Sequence, residues 1–239
     1  RLIKRRARIG TLAFEQEFQN NPMDEGQKIF NISKYYDNVD PNECYRYAYL
    51  DLASREKLTS DYNAIVTILK HKKTGSIYTY DPQRMRGRLS EIVDWFVKYY
   101  EKHRHNKIGI EDNNFQTWFS QTLEEETQAD GIYIPIEKVV QIKSKIKRAS
   151  SVAVYVENGT VGFNKSHESF NSEVEGFPKF SHDDWVDSMV EGIRMAIEEG
   201  TESNIMSGRN KIAKSSKNGY HIVNRHKRRQ DGVGYPSNY

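Results

Sequence analysis

Five acidic residues stand where the chain changes from one kind of structure to another. Asp51 lies in an apolar run, Tyr-Ala-Tyr-Leu-Asp-Leu-Ala, which has the composition of a buried strand. Glu111 directly follows a second short apolar segment, Ile-Gly-Ile. Asp183 and Asp184 open a helical pattern in which Asp184 and Asp187, three residues apart, share one face. Because a buried charge is costly unless it is paired or binds a metal, Asp51 is the first candidate for chemistry.

These carboxylates could together bind divalent metal ions. If the strands that carry Asp51 and Glu111 are adjacent and parallel, both residues lie at the carboxyl edge of the sheet, where α/β proteins bind their ligands. Several carboxylates at one point need a cation to stay ionised, and oxygen ligands favour Mg²⁺ or Mn²⁺. Two ions about 3.5–4 Å apart would activate water to cleave a phosphodiester. We expect Asp51, Glu111 and Asp184 to converge as catalytic residues, with Asp183 and Asp187 as further metal ligands.

The elements that must position these residues follow from the hydrophobic pattern. Three consecutive apolar, β-branched or aromatic segments predict an antiparallel three-stranded unit, and a fourth strand follows an amphipathic helix. Asn158-Gly159 between two β-rich segments predicts a hairpin. The fold class is therefore α/β, a mixed sheet of three antiparallel strands plus parallel strands, flanked by helices and with an added β-hairpin. The predicted strands are 45–53, 62–70, 76–80, 107–110 and the hairpin 152–163; the predicted helices are 9–19, 89–100, 114–128, 138–147 and 185–198.

Composition and charge exclude some classes of protein. The 239 residues hold 36 basic and 33 acidic side chains and one cysteine, Cys44, so a disulfide scaffold is excluded. No apolar stretch approaches the roughly 20 residues of a membrane span, and no signal peptide is recognisable at the N-terminus. Residues 201–239 hold eight basic against two acidic residues, a net charge of +6. We interpret 1–40 as a connector, 41–200 as the folded domain and 201–239 as a flexible basic arm that either binds a polyanion or is simply solvated.

From Ile9 to Glu198 the sequence resembles the nuclease domain of bacteriophage large terminases, which package viral DNA. Each motif is weak alone, but four in the right order are fairly specific. They are Ile9-Gly10 through Phe14-Glu15-Gln16-Glu17-Phe18-Gln19-Asn20-Asn21-Pro22, then Leu50-Asp51-Leu52-Ala53 with Ser60-Asp61-Tyr62-Asn63-Ala64-Ile65, then Ile110-Glu111-Asp112-Asn113, and His182-Asp183-Asp184-Trp185-Val186-Asp187-Ser188.

The resemblance implies an RNase H-like fold and an endonuclease that cuts concatemeric double-stranded DNA with two Mg²⁺ or Mn²⁺ ions. It implies direct metal contact for Asp51, Glu111 and the Asp183/Asp184 pair. Asp187 matches the second aspartate of the Asp-x-x-Asp helix in resolvase-like relatives, and Asp61 matches a further acidic position of less certain role.

The resemblance also implies partners that this chain does not contain. Large terminases carry an ATPase domain, and no Gly-x-x-x-x-Gly-Lys-[Ser/Thr] motif occurs in this sequence. We therefore expect residues 1–40 to be the remains of a link to that domain. The further expected partners are double-stranded DNA, the small terminase subunit and the portal, with no membrane, in the cytoplasm of the infected host.

The basic residues that precede the predicted hairpin have two possible roles. They could hold the phosphate backbone of DNA or form a solvated helix face; they are Lys143, Lys145, Lys147 and Arg148.

Two alternatives to the terminase function stay open. A structure-specific, Holliday-junction-type resolvase of the same fold fits the Asp-x-x-Asp helix equally well. The third hypothesis is a non-catalytic DNA-binding or assembly module, in which Asp183 is a helix cap and the other carboxylates are structural.

Overall fold

In the computed structural model, residues 2–18, 27–53, 61–111, 114–128 and 131–206 are described, and they form a mixed sheet with helices on both faces. The strands of this part of the chain are β1 (Tyr35–Tyr36), β2 (Cys44–Asp51), β3 (Asn63–His71), β4 (Ile77–Met85), β5 (Lys107–Glu111), β6 (Ile136–Val139) and β7 (Val161–Asn164). The helices are α1 (Leu2–Ile9), α2 (Thr11–Phe18), α3 (Leu89–His103), α4 (Asn114–Gln128), α5 (Lys145–Glu157), α6 (Glu168–Gly176) and α7 (Asp184–Met206).

The order of the strands brings the ends of β2, β4 and β5 to one edge of the sheet. The order is β1-β7-β4-β3-β2-β5-β6. β3 is antiparallel to β2 and β4, whereas the other neighbouring pairs are parallel. Strands β2 and β4 therefore run in the same direction, and both end beside the start of β3. This edge is the one at which an α/β sheet binds its ligands.

Each face of the sheet buries its own hydrophobic core. One core lies between the sheet and α5, α6 and α7, and it includes Val66, Ile68 and Ile193. The other lies under α3 and α4, and it includes Leu50, Ile65 and Phe96. Ile65 and Val66 face opposite cores because successive side chains of a strand point to opposite faces. None of the described helices is long and apolar enough to cross a membrane.

Two glycines leave room for helix α7 to pack on the sheet. A Cβ atom at Gly192 of α7 would come 2.7 Å from Cγ1 of Ile68 on β3. A Cβ atom at Gly109 on β5 would come 2.7 Å from the sulfur of Met195 of α7. No real Cβ tolerates such distances, so these glycines set the depth of α7 and with it the position of the carboxylates at its first turn.

The mixed sheet and most of its elements confirm the sequence prediction. The three-stranded antiparallel unit forms β2, β3 and β4, and the predicted neighbouring parallel strands are β2 and β5. Helix α4 has the predicted bounds. The final helix begins at Asp184 and continues to Met206, beyond the predicted end. The motif residues 19–22, 60 and 112–113, and the basic arm from residue 207 on, lie outside the described residues.

The predicted hairpin at 152–163 is wrong. Val152 to Val156 belong to α5, and Val161–Asn164 forms β7, which is parallel to β4. The buried residues Ala149, Val152, Ala153 and Val156 recur at helical spacing against α7, and this packing outweighs the β preference of valine. Asn158-Gly159 ends the helix, and Gly159 takes a left-handed conformation with φ of 75°.

Other elements also differ from the prediction. The predicted helix at 138–147 is wrong, because β6 ends at Val139 and α5 begins only at Lys145. β1, β6, α1 and α6 were not predicted, since β1, β6 and α6 are short and four of the eight residues of α1 are basic.

Candidate active site

Asp51 and Glu111 end two neighbouring parallel strands. In the register of β2 and β5, Leu50 lies opposite Ile110, and each acidic residue follows directly. Asp51 is also the last residue of β2 to pair with β3, opposite Ala64. The apolar residues before them hold both strands in the core, so that their carboxylates come to the same sheet edge.

Two buried hydrogen bonds fix the first turn of α7 beside these strand ends. The Ser188 hydroxyl donates to the carbonyl oxygen of Tyr49 at 2.6 Å, which ties α7 to β2 two residues before Asp51. The backbone N–H of Trp185 donates to Oε1 of Glu173 on α6 at 2.9 Å. Asp184 and Asp187 lie in this first turn and Asp183 immediately precedes it. The helix thus brings its carboxylates to the edge where β2 and β5 end.

The first turn of α5 places two cations against the carboxylates of α7. Nζ of Lys145 lies 2.5 Å from Oδ2 of Asp183 and 2.6 Å from Oδ2 of Asp187. Arg148, one turn later, lies 3.6 Å from Oδ1 of Asp187 and 2.7 Å from Oε1 of the buried Glu191. Lys145 and Arg148 were both predicted to contact DNA, but in this structure their charges face the acidic cluster.

The electrostatics show that these carboxylates share one environment. Burial, together with the nearby Asp187, Asp184 and Glu111, raises the pKa of Asp51 well above its ordinary value, although Lys145 acts against this rise. Burial also raises the pKa of Asp184 and of Asp187, the latter in spite of its pairing with Lys145. Burial would lower the pKa of Lys145, but the aspartates outweigh it and the pKa is raised. Burial and the mutual repulsion of the aspartates therefore both favour the neutral form of Asp51 and Asp184.

The donor set fits a hard divalent cation. It consists of carboxylates from two strands and a helix, and a partly buried cation, Lys145, already lies among them. Among the residues that the structure describes, no three histidine, cysteine or acidic side chains are arranged to hold a metal ion. The ammonium group of Lys145 instead contacts two of the aspartates, Asp183 and Asp187.

The remaining predicted residues lie around this cluster. Asp61 precedes β3, at the sheet edge where β2 ends. Lys143 and Lys147 are exposed beside and on α5, so neither enters the acidic cluster. Their contact with DNA stays a prediction.

Sequence reasoning missed the residues that hold α7 in place. Glu173 is fully buried on α6, pairs with Arg84 of β4 at 2.9 Å and accepts the Trp185 N–H. Burial raises its pKa to about 7 in spite of this hydrogen bond and of Arg84. In the sequence Glu173 looks like one more charge on a polar helix, and Ser188 like an ordinary helical serine. Neither gives a local signal, because each acts through a contact distant in sequence.

The mixed sheet, with β3 antiparallel and the other strands parallel and with helices on both faces, is an RNase H-like fold, and its carboxylates lie where β2 and β5 end and α7 begins. The model of the family described as "Terminase RNaseH-like domain" matches residues 48–196, more than half of the chain. The chain therefore belongs to this family of phage terminase nuclease domains. The matched region contains Asp51, Glu111 and the three aspartates at the start of α7.

Two solved structures with TM-scores above 0.5 show the same fold at low sequence identity. The nuclease domain of the P22 large terminase matches with a TM-score of 0.52 and 13% identity, over 70% of this chain and 91% of that one. The large terminase of a thermophilic bacteriophage in complex with ADP has a TM-score of 0.51 and 12% identity, over 72% of this chain but only 42% of its own length. The nuclease of thermophilic phage G20c with bound magnesium has a lower TM-score of 0.48, with 16% sequence identity over 70% of this chain and 93% of that one. No curated protein matches the chain.

Proposed function

We propose that this chain is a metal-dependent endonuclease that cuts concatemeric double-stranded DNA for a packaging terminase. The observation that carries the proposal is the convergence of Asp51, Glu111 and the first turn of α7 at one sheet edge, within the part of the chain that matches the terminase family. Two bound Mg²⁺ or Mn²⁺ ions would supply Lewis-acid activation of water and of the phosphodiester.

In this proposal each residue of the site has its own role. Asp51, Glu111 and Asp184 hold the ions, and Asp183 and Asp187 complete the ligand set. Ser188 and Glu173 keep the first turn of α7 in register with the end of β2. Lys145 balances the negative charge while no metal is bound. Asp61 is a further candidate at the same edge.

The partners and setting of the full protein belong to the same proposal. This chain spans less than half of the ADP-bound large terminase that it matches. We propose an ATPase domain, the small terminase subunit and the portal as partners in the longer protein, within the cytoplasm of the infected bacterium. The terminase family match favours this function over a junction resolvase. Cutting four-way junctions in preference to linear duplex would favour the resolvase.

The first prediction tests the active site by Asp51→Asn. This substitution keeps the shape of the side chain but removes a ligand's charge, so plasmid cleavage in Mn²⁺ should fall by two orders of magnitude or more, roughly the effect of losing one strong transition-state interaction. DNA binding should be kept or improve slightly, because a repelling charge is gone. The measurement is conversion of supercoiled plasmid with and without divalent metal.

The matched control is Asp94→Asn. Asp94 is exposed on α3 and pairs only with Lys98, one turn away, at 3.8 Å among its described salt bridges. This variant should cut plasmid at the wild-type rate. Wild-type cleavage by Asp51→Asn, or the lack of any metal-dependent cleavage by the unmodified chain, would refute the proposed function.

A further inference from the structure

Two arginines stack on one tyrosine beside the carboxylate site. The guanidinium carbon of Arg84 lies 4.2 Å from the ring centroid of Tyr62, and that of Arg86 lies 3.8 Å from it. Arg84 also lies 3.9 Å from the centroid of Trp185, in the first turn of α7. The rings of Tyr62 and of His182, just before α7, pack edge to face with their centroids 5.4 Å apart. The cluster therefore joins the start of β3 and the end of β4 to the start of α7.

The two arginines differ in how their charge is compensated. Arg84 is mostly buried and pairs with the buried carboxylate of Glu173 at 2.9 Å. Arg86 is exposed, and no carboxylate among the described residues forms a salt bridge with it. Stacking on Tyr62 restricts the Arg86 side chain without using its N–H donors. Arg86 is thus a preorganised cation whose donors remain available to an anion.

The register of the sheet places this cation next to the acidic site. Asp51 of β2 lies opposite Ala64 of β3, which lies opposite Arg84 of β4. Two strand spacings of about 4.8 Å put Arg84 roughly 10 Å from Asp51 along the sheet. Arg86 lies two residues further towards the edge where β2 and β5 end. Both Arg84 and Asp51 face α7, since Arg84 contacts Trp185 and Asp51 interacts with Asp187.

We propose that Arg86, held on Tyr62 and backed by Arg84, binds a backbone phosphate of the DNA strand that enters the carboxylate site. Arginine is suited to this role because its planar fork donates two parallel hydrogen bonds to a phosphate. A nucleotide rises about 3.4 Å along the axis of B-DNA, so the contacted phosphate lies within about four nucleotides of the one at the carboxylates. The inference rests on the proposed function, because it assumes that the anion at Asp51 and Glu111 is DNA.

This assignment differs from the one that charge alone suggests. Lys145 and Arg148 belong to the most basic segment near the site, yet their ion pairs with Asp187 already neutralise them. A phosphate that approached them would also meet the carboxylates. Arg86 meets no such competition among the described residues, so it positions DNA more effectively than the richer basic run on α5.

The test is the binding of a short fluorescent duplex to the full chain, in Ca²⁺ and across a series of salt concentrations. Arg86→Gln should weaken binding roughly tenfold, as for the loss of one charge-assisted contact. It should also reduce the log–log salt slope by about 0.9. Arg86→Lys keeps the charge but loses the planar guanidinium group and its stacking on Tyr62. Its affinity for the duplex should therefore lie between those of the wild type and Arg86→Gln. In Mn²⁺, Arg86→Gln should raise KM for duplex cleavage while kcat at saturating DNA changes little.

The matched control is Arg104→Gln. Arg104 also lies over a tyrosine ring, with its guanidinium carbon 5.6 Å from the ring centroid of Tyr100. It directly follows α3, however, and so lies next to the start of β5, at the opposite edge of the sheet. Its substitution should leave DNA binding unchanged. Thermal melting of each variant excludes loss of the fold as the cause. A wild-type Kd and salt slope for Arg86→Gln, or equal losses for both variants, would overturn the inference.

The two proposals fail in different ways. If the unmodified chain binds duplex DNA through Arg86 but does not cut it in Mn²⁺, the phosphate contact stands and the nuclease proposal falls. If the chain cuts DNA and Asp51→Asn abolishes cutting while Arg86→Gln binds and cuts as the wild type does, the nuclease stands and the phosphate contact falls.

Discussion

At the scale of single residues, the acidic site is defined as much by Lys145 as by its carboxylates. Asp183 and Asp187 are close enough to share one ammonium group, and Asp51 lies in the same electrostatic environment. Carboxylates gathered for a metal ion repel one another when the metal is absent. Lys145 on the neighbouring helix reduces that repulsion, and in the proposed function it would compete with the metal ions for the same oxygens.

The prediction for this residue is that Lys145→Met has opposite effects with and without metal. Without metal the variant should be less stable, by about 1–3 kcal/mol, because partly buried aspartates lose their partner. Its affinity for Mn²⁺ should rise, roughly tenfold, because the competing cation is gone. Chemical unfolding and Mn²⁺ titration, both without DNA, measure the two effects.

Lys147→Met is the control for Lys145. Lys147 lies on the same helix but is exposed, so its removal should change neither stability nor Mn²⁺ affinity by much. Equal Mn²⁺ affinity in the wild type and in Lys145→Met would show that the lysine does not compete with the metal.

At the scale of elements, the contact of α6 with α7 holds the first turn of α7, which carries the candidate aspartates, in place. The buried Glu173 of α6 accepts the Trp185 N–H of α7 and pairs with Arg84 of β4. Three elements therefore meet at one carboxylate. Burial raises the pKa of Glu173 to about 7, so this junction changes its protonation near neutral pH.

The prediction for this contact concerns Glu173→Gln. In the unfolded chain Glu173 loses its proton near pH 4.5, whereas in the folded protein it does so near pH 7. Between these values the folded state binds more protons, so the contribution of Glu173 to stability decreases as pH rises. The free energy of unfolding of the wild type, measured relative to Glu173→Gln, should thus fall by an amount on the order of 3 kcal/mol across this window.

Unfolding in urea at several pH values measures this difference. Glu175→Gln is the matched control, because Glu175 lies on the same helix and its salt bridge with Lys28 is largely exposed. The difference in the free energy of unfolding between the wild type and Glu175→Gln should not change with pH over the same range. A flat difference for Glu173→Gln as well would mean that its carboxylate titrates normally.

At the scale of the whole molecule, positive charge is concentrated at the end of the sequence. Residues 207–239 hold eight basic residues and one acidic residue, a net charge of +7, whereas the whole chain carries +3. The preceding residues are therefore net acidic. We expect these basic residues to add further phosphate contacts to the one that we propose for Arg86 within the folded domain.

The prediction is that deleting residues 207–239 weakens DNA binding but spares the chemistry. The log–log salt slope should fall by about 0.9 for each phosphate contact that is lost. Single-turnover cleavage at saturating DNA should change little, because the carboxylates lie upstream. An unchanged salt slope after truncation would show that these residues do not contact DNA.

The sequence by itself determined the local elements and the identity of the acidic residues. The apolar spacing of α3 puts Ile92, Val93 and Phe96 on one face, and the structure buries that face. The apolar runs around Asp51 and before Glu111 predicted strands at 45–53 and 107–110, and the structure has β2 ending at Asp51 and β5 ending at Glu111. Such features are encoded locally, because hydrogen bonding and side-chain periodicity within an element depend on near neighbours.

Only the tertiary structure decided how these elements meet. Val152 to Val156 favour a strand by composition, yet they are helical because the sheet and α7 offer a surface for one helical face. Lys145 has the sequence context of a solvated basic helix, and its pairing with Asp183 and Asp187 arises only when α5 packs beside α7. Glu173 and Arg86 likewise acquire their partners from other elements. Contacts between residues distant in sequence depend on the packing of the whole chain, and no local pattern records them.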